Sequence, residues 1–131
     1  MVVDTSVWID YFNGYPSWQA ERLIKAISDN EEIILPGIIQ TEILLGFSND
    51  KQANKVANIL SAFDPPKDLK NDDYQMAAKI YRTCRKNGKT IRSTIDCLIA
   101  TMCLRENLEL LSKDRDFDVI AQYFPLINVT Q

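Results

Sequence analysis

The sequence predicts an α/β fold, a mostly parallel sheet of four or five strands with helices on both faces. Two observations carry this. Short apolar runs at 1–4, 32–35, 109–112 and 126–129 are separated by one or two helical stretches each, and such alternation builds parallel sheets. The chain has 131 residues, 46% of them hydrophobic and 25% charged, which fits one globular domain over residues 1–131 with one core.

The elements follow in order. Met1 to Asp4 is a buried first strand ending in a carboxylate. Thr5 or Ser6 can cap a helix from about Val7 to Phe12, which Asn13-Gly14-Tyr15-Pro16 breaks. A second helix runs from Ser17 to Ser28 with Trp18, Leu23, Ile24 and Ile27 inward. Glu32 to Leu35 is a second strand, closed by Pro36-Gly37. Helices follow over Ile38–Phe47 and from Ser48-Asn49-Asp50 to about Phe63, and Asp64-Pro65-Pro66-Lys67 holds at most a short edge strand.

Asn71-Asp72-Asp73 opens a long helix that Gly88 ends, with Tyr74, Ala77, Tyr81 and Cys84 as its apolar stripe. Thr94 to Glu106 is a central helix buried nearly all round, capped by Ser93 or Thr94. Ser93-x-x-Asp96 resembles a capping box. Glu109 to Ser112 is a strand, Asp114 to Tyr123 a helix and Leu126 to Val129 a last strand.

Composition narrows the chemistry. Histidine is absent, which removes the commonest general base and zinc ligand. The three cysteines have no zinc-ligand spacing and read as reduced core residues of a cytoplasmic protein. No apolar run is long enough to span a membrane, and no secretory signal is visible at the start. Any catalytic site must use carboxylates, lysines, hydroxyls or a hard metal ion.

Four acids stand in unusual places. Asp96 shares a helix face with Ile99, Ala100 and Cys103, and Glu42 shares one with Ile38, Ile39 and Leu45. Asp4 and Asp114 follow strands, where ligands of parallel sheets bind. Each has an ordinary explanation alone. Asp96 complements a helix dipole, Asp4 sits in a turn, Glu42 reaches water from a rim, and Asp114 caps a helix with Asp116 and Asp118 in its first turn. Together they point to convergence at one sheet edge. Two carboxylates about 4 Å apart repel by roughly 4 kcal/mol at an effective dielectric near 20, so four need a cation. Oxygen ligands without histidine favour Mg²⁺ or Mn²⁺.

The net charge of −3 speaks against nucleic-acid binding by itself. Yet no acid lies between Asp73 and Asp96, while Lys79, Arg82, Arg85, Lys86, Lys89 and Arg92 all do. Lys79, Arg82, Lys86 and Lys89 are placed on one face of the long helix, either a solvated surface or a track for an RNA backbone.

Four segments carry a family resemblance: Val2-Val3-Asp4-Thr5-Ser6-Val7-Trp8, Thr41-Glu42-Ile43-Leu44-Leu45-Gly46, Ile95-Asp96-Cys97-Leu98-Ile99-Ala100 and Leu110-Leu111-Ser112-Lys113-Asp114-Arg115-Asp116-Phe117. In this order and spacing the chain resembles PIN-domain ribonucleases, especially VapC-type toxins of toxin–antitoxin pairs. The resemblance implies a PIN-like α/β/α sandwich that hydrolyses RNA with one or two Mg²⁺ or Mn²⁺ ions, leaving a 5′-phosphate and a 3′-hydroxyl. It maps the acidic quartet onto Asp4, Glu42, Asp96 and Asp114, with Asp4 and Asp96 as direct ligands and Asp116 as an alternative fourth acid. Ser6 and Ser112 match pocket hydroxyls; the substrate-binding candidates Lys86, Lys89 and Arg92 come from the basic run alone, and Ser6 joins them as a candidate. The resemblance also implies a homodimer and a VapB-like antitoxin; of the crowded aromatics Trp8, Tyr11, Phe12, Tyr15 and Trp18, most read as core and some as the groove that receives it.

Rival readings remain. A haloacid-dehalogenase-type phosphotransfer enzyme with Asp4 as nucleophile wants a second aspartate two residues on, where this chain has Ser6. A PIN nuclease of RNA processing without an antitoxin, and an RNA-binding module without catalysis, keep the same fold.

Overall fold

The computed structural model describes residues 1–131. Strands β1 (Val2–Val3) and β2 (Leu110–Leu111) pair in parallel, Val2 beside Leu110 and Val3 beside Leu111. All four side chains are fully buried, as expected of a parallel pair covered on both faces. Single parallel bridges flank the pair: Ile34 meets Val2, Asp64 meets Ile34, and Asn128 meets Leu110. The α/β class therefore holds, but the regular sheet has two strands, not four or five. Proline supplies a reason. Pro36 follows the bridge region at Ile34, Pro65 and Pro66 follow Asp64, and Pro125 precedes the stretch that reaches Asn128. None can donate to a ladder.

Seven helices surround this pair: α1 (Thr5–Asn13), α2 (Trp18–Ser28), α3 (Gly37–Leu45), α4 (Asp50–Leu60), α5 (Asn71–Lys86), α6 (Thr94–Glu106) and α7 (Asp116–Ala121). Their caps are readable in the sequence. The Ser17 hydroxyl accepts from the Ala20 N–H at 3.1 Å, and Asn49 accepts from the Lys51 N–H at 2.8 Å. Ser93 accepts from the Ile95 N–H at 3.2 Å. Gly14 closes α1 in the left-handed region, at a φ of 70°. Two starts differ from expectation. α1 begins at Thr5 with Asp4 at its N-cap position, and α7 begins at Asp116 rather than Asp114.

α6 is the central helix, with seven of its thirteen residues buried, Asp96 among them. Trp8 fills the core beneath α1, its ring 6.0 Å from that of Phe12 and 5.2 Å from that of Phe63. The three cysteines are free and buried. Burial pushes the Cys97 thiol up to about 11 and the Cys103 thiol to about 12, so neither is a reactive thiolate. No helix is long and apolar enough to cross a membrane.

Two helices are rotated from their expected faces. In α2, Ala20, Leu23 and Ala26 face the core and Ile24 is exposed. In α5 the inward row is Asp73, Ala77, Ile80 and Cys84, leaving Tyr74 exposed. The rotation buries Asp73, which the surrounding hydrogen bonds permit. Its Oδ2 accepts from the Lys70 N–H at 2.8 Å and from Arg105 at 2.6 Å. Arg105 also donates to the carbonyls of Lys67 (2.7 Å) and Asp68 (3.2 Å) and pairs with Glu106 at 2.7 Å. This one guanidinium ties α6 to the connection that leads into α5.

The Lys70 N–H and Arg105 together hold the Asp73 carboxyl below its ordinary value of 3.8. Its stabilisation is thus present above that value and lost as pH falls through the lower folded-state value. Asp73→Asn is expected to lower the melting temperature at neutral pH, with the gap to wild type closing on acidification below 3.8. Thermal melts across that range check it, and a gap independent of pH contradicts it.

Candidate active site

Because β1 and β2 are parallel, the residues that follow them leave at the same sheet edge. Asp4 follows β1, and Ser112 and Asp114 follow β2. Asp4 is buried, and its Oδ2 accepts from the hydroxyls of Ser6 and Ser112, each at 2.9 Å. Those hydroxyls are themselves oriented from the other strand end. Ser6 accepts from the Lys113 N–H at 3.2 Å, and Ser112 accepts from the Asp114 N–H at 2.9 Å. The two strand ends are therefore laced together around the Asp4 carboxylate.

α6 brings the next acid. Ser93 caps the helix, so Asp96 in its first turn is free to point at the strand ends. The carboxylates of Asp96, Asp114 and Asp116 lie within 4.8 Å of one another. Asp114 stands just before α7, its Oδ1 accepting from the Asp116 N–H at 2.9 Å. Both candidates for the fourth acid therefore meet Asp96. Glu42 reaches the rim from α3, where its Oε1 accepts from the Thr5 hydroxyl at 2.7 Å, one residue beyond Asp4. It is joined through Thr5 and lies outside the tight group of three.

Crowding shows in the protonation of Asp96. Burial first, then a hydrogen bond with Asp114, then the charges of Asp114, Asp4 and Asp116 push its carboxyl up to about 8. Burial also raises Asp4, against the hydrogen bonds from Ser112 and Ser6. The donors are all carboxylate or hydroxyl oxygens, which suit a hard divalent cation and not zinc or copper. The residues fit such an ion.

The basic residues divide. Arg92 lies against the acids: its guanidinium is 3.5 Å from both Asp114 and Asp116, and its N–H donates to Asp116 at 3.1 Å. Lys86 is the last residue of α5 and exposed. Lys89 lies beyond the helix, past Gly88 at a φ of 77°, so it does not continue the face of Lys79, Arg82 and Lys86.

Sequence reasoning missed Thr5, Asp10 and Lys113. Lys113 bridges to Asp10 at 2.8 Å and sits 5.1 Å over the Tyr15 ring, fastening the acid-bearing loop to α1. Against the cost of burial, Lys113 and Ser17 hold the Asp10 carboxyl low. The position of Lys113 beside Asp114 was the available signal; its partner, 103 residues away, was not readable.

A family model for the PIN domain matches residues 1–123. The chain belongs to the PIN-domain family. Among PIN-domain relatives, it is 32% identical over 123 residues to VapC ribonuclease Mb1587 of Mycobacterium bovis and to ribonuclease VapC11 of Mycobacterium tuberculosis, covering 93% of this chain and 92% of each relative. Its PIN fold also matches the structure of VapBC2 from Rickettsia felis bound to a promoter DNA fragment (TM-score 0.74, 19% identity, 99% of this chain and 97% of that one). VapBC-1 from nontypeable Haemophilus influenzae matches equally (TM-score 0.74, 21% identity, 98% and 95%).

In metal-free buffer the folded PIN domain keeps a proton on Asp96 that the unfolded chain has released, so stability falls as pH rises from 3.8 through about 8. Asp96→Asn is expected to melt higher than wild type above pH 8, and Mn²⁺ to raise the wild-type melt far more than that of the variant. Calorimetric melts with and without Mn²⁺ check this; identical pH profiles contradict it.

Proposed function

We propose that this PIN domain is a divalent-metal-dependent ribonuclease that hydrolyses RNA phosphodiester bonds as the toxin half of a toxin–antitoxin pair. The observation that carries the proposal is the meeting of Asp96, Asp114 and Asp116 within 4.8 Å, beside Asp4. The VapC ribonucleases supply the substrate class.

In this reading Mg²⁺ or Mn²⁺ is held by Asp96 and Asp4, with Asp114, Asp116 and Glu42 completing the pocket. The bound ion supplies the positive charge that makes water nucleophilic near neutral pH and offsets charge on the phosphate oxygens. The protein residues do the rest. Ser6 and Ser112 hold the Asp4 carboxylate in one orientation, Thr5 does the same for Glu42, and Lys113 fixes the loop that presents Asp114. Asp96 would hold the ion as a carboxylate, in its deprotonated form. Lys86 and Lys89 take the RNA backbone, and Arg92 moves between the acids and a substrate phosphate. The products carry a 5′-phosphate and a 3′-hydroxyl.

The partner is a VapB-like antitoxin, for which the exposed Ile9, Tyr15 and Ile24 of the α1–α2 region offer apolar surface. The toxin itself is a cytoplasmic homodimer. The bridges at Asp64, Ile34 and Asn128 support a five-position parallel sheet in the order Asp64, Ile34, β1, β2, Asn128.

Purified protein with Mg²⁺ or Mn²⁺ is expected to cleave RNA, and Asp96→Asn to cut the rate by at least about a hundredfold while the protein stays folded. Equal rates, or a wild type that cleaves no RNA, overturn the proposal. Reversing Lys86 and Lys89 together to Glu is expected to weaken RNA binding and lower the slope of log affinity against log salt by roughly 0.7 per lost contact. An unchanged slope reduces them to a solvated surface.

A further inference from the structure

A cleft of about 400 Å³ opens between α5 and α6 on the outside of the helix pair. Its size lies in the range of small-molecule sites, about 300–1,000 Å³. Tyr74, Tyr81, Arg82 and Arg85 line it from α5, Thr94 and Cys97 from α6. Thr94 and Cys97 flank Asp96 at the start of α6, but at about 100° per residue they point away from it, so the cleft opens on the flank of α6 opposite the acid cluster.

The chemistry of the walls is selective. The lining is mostly apolar and contains no acid. Two phenol rings offer flat π surfaces. The Arg85 guanidinium lies over the Tyr81 ring at 5.5 Å, so a base that stacks on this face takes its place and frees the guanidinium for a phosphate. Arg82 and Arg85 are exposed and, like Arg115, pair with no carboxylate, whereas Arg22, Arg92 and Arg105 do. Unpaired arginines beside aromatic rings suit a base with its flanking phosphates: the ring stacks, and the guanidinium groups neutralise the backbone.

We propose that this cleft is a nucleobase subsite, in which one unpaired base of a single-stranded RNA stacks on Tyr81 while Arg82 and Arg85 hold the adjoining phosphates. The proposal rests on the ribonuclease reading and assigns to α5 the selection of which phosphodiester reaches the acids. A base lodged in the cleft anchors the strand beside the start of α6, the end of the helix that carries Asp96.

The test uses single-stranded RNA carrying one 2-aminopurine, moved position by position, with Ca²⁺ in place of Mg²⁺. One position is expected to lose fluorescence on binding to wild type. Tyr81→Leu is expected to abolish that quench and weaken binding about tenfold, while Tyr81→Phe, which keeps the ring, preserves both. An abasic nucleotide at the quenched position is expected to weaken binding to the wild-type protein by a similar factor, a result that requires no folded variant. If wild type cleaves RNA in Mn²⁺ but no position is quenched, or the abasic strand binds as well, the subsite is refuted and the nuclease reading stands. If wild type neither binds nor cleaves RNA, both fail together. A Tyr81→Leu protein that binds RNA normally but sediments differently makes the cleft a contact between copies of the chain and refutes the subsite.

Discussion

The burial of Asp96 in close company with Asp114 and Asp116 is the constraint around which this site is arranged. Three carboxylates within 4.8 Å cannot all be ionised without compensation. The protein answers in two ways. Asp96 keeps its proton up to about pH 8, and Arg92 leans its guanidinium against the other two acids at 3.5 Å. Neither device is strong. Arg92 is largely exposed to water, so its pairing is screened. A proton or a mobile arginine can both yield to a divalent cation.

The scaffold serves that arrangement. A parallel pair of strands sends Asp4 and Ser112 out at the same edge, and the hydroxyls of Ser6 and Ser112 hold Asp4 between them. α6 runs through the core so that its first turn, capped by Ser93, aims Asp96 at that edge. Away from the acids, Lys113 pins the loop to Asp10, and Arg105 pins α6 to the approach to α5. Polar groups in the interior thus serve two purposes. Some are satisfied locally and stabilise, while the acids at the edge crowd one another. Local instability at a functional site of this kind is commonly offset by a well-packed core, here Trp8, Phe117, Leu60 and the wholly buried strands.

Much of this was readable from the residues. Strand–helix alternation gave the class, and apolar helix faces interrupted by Glu42 and Asp96 singled out two acids that the structure treats differently: Asp96 joins Asp114 and Asp116, while Glu42 stays at the rim on Thr5. The sheet was overestimated because apolar runs at 32–35 and 126–129 look like strands, while the prolines beside them confine pairing to single bridges. The face of α5 was displaced by one residue because Asp73 reads as a solvent residue until Arg105, 32 positions away, is seen to meet it. Ile24 was placed inside because periodicity cannot distinguish a core face from an exposed one flanked by alanines. Asp114 and Asp116 remained equivalent in sequence, and the structure brings both to Asp96. Long-range polar pairs carry no periodic signal, and they account for most of what sequence alone left open.

The most direct test of a cation-dependent acid cluster is an anomalous difference map from crystals soaked in Mn²⁺. A single strong peak within coordination distance of the Asp96 carboxylate, with Asp4, Asp114 or Asp116 as further ligands and Arg92 turned away, is the predicted result. No peak at these carboxylates, with Arg92 still resting on Asp114 and Asp116, contradicts the account.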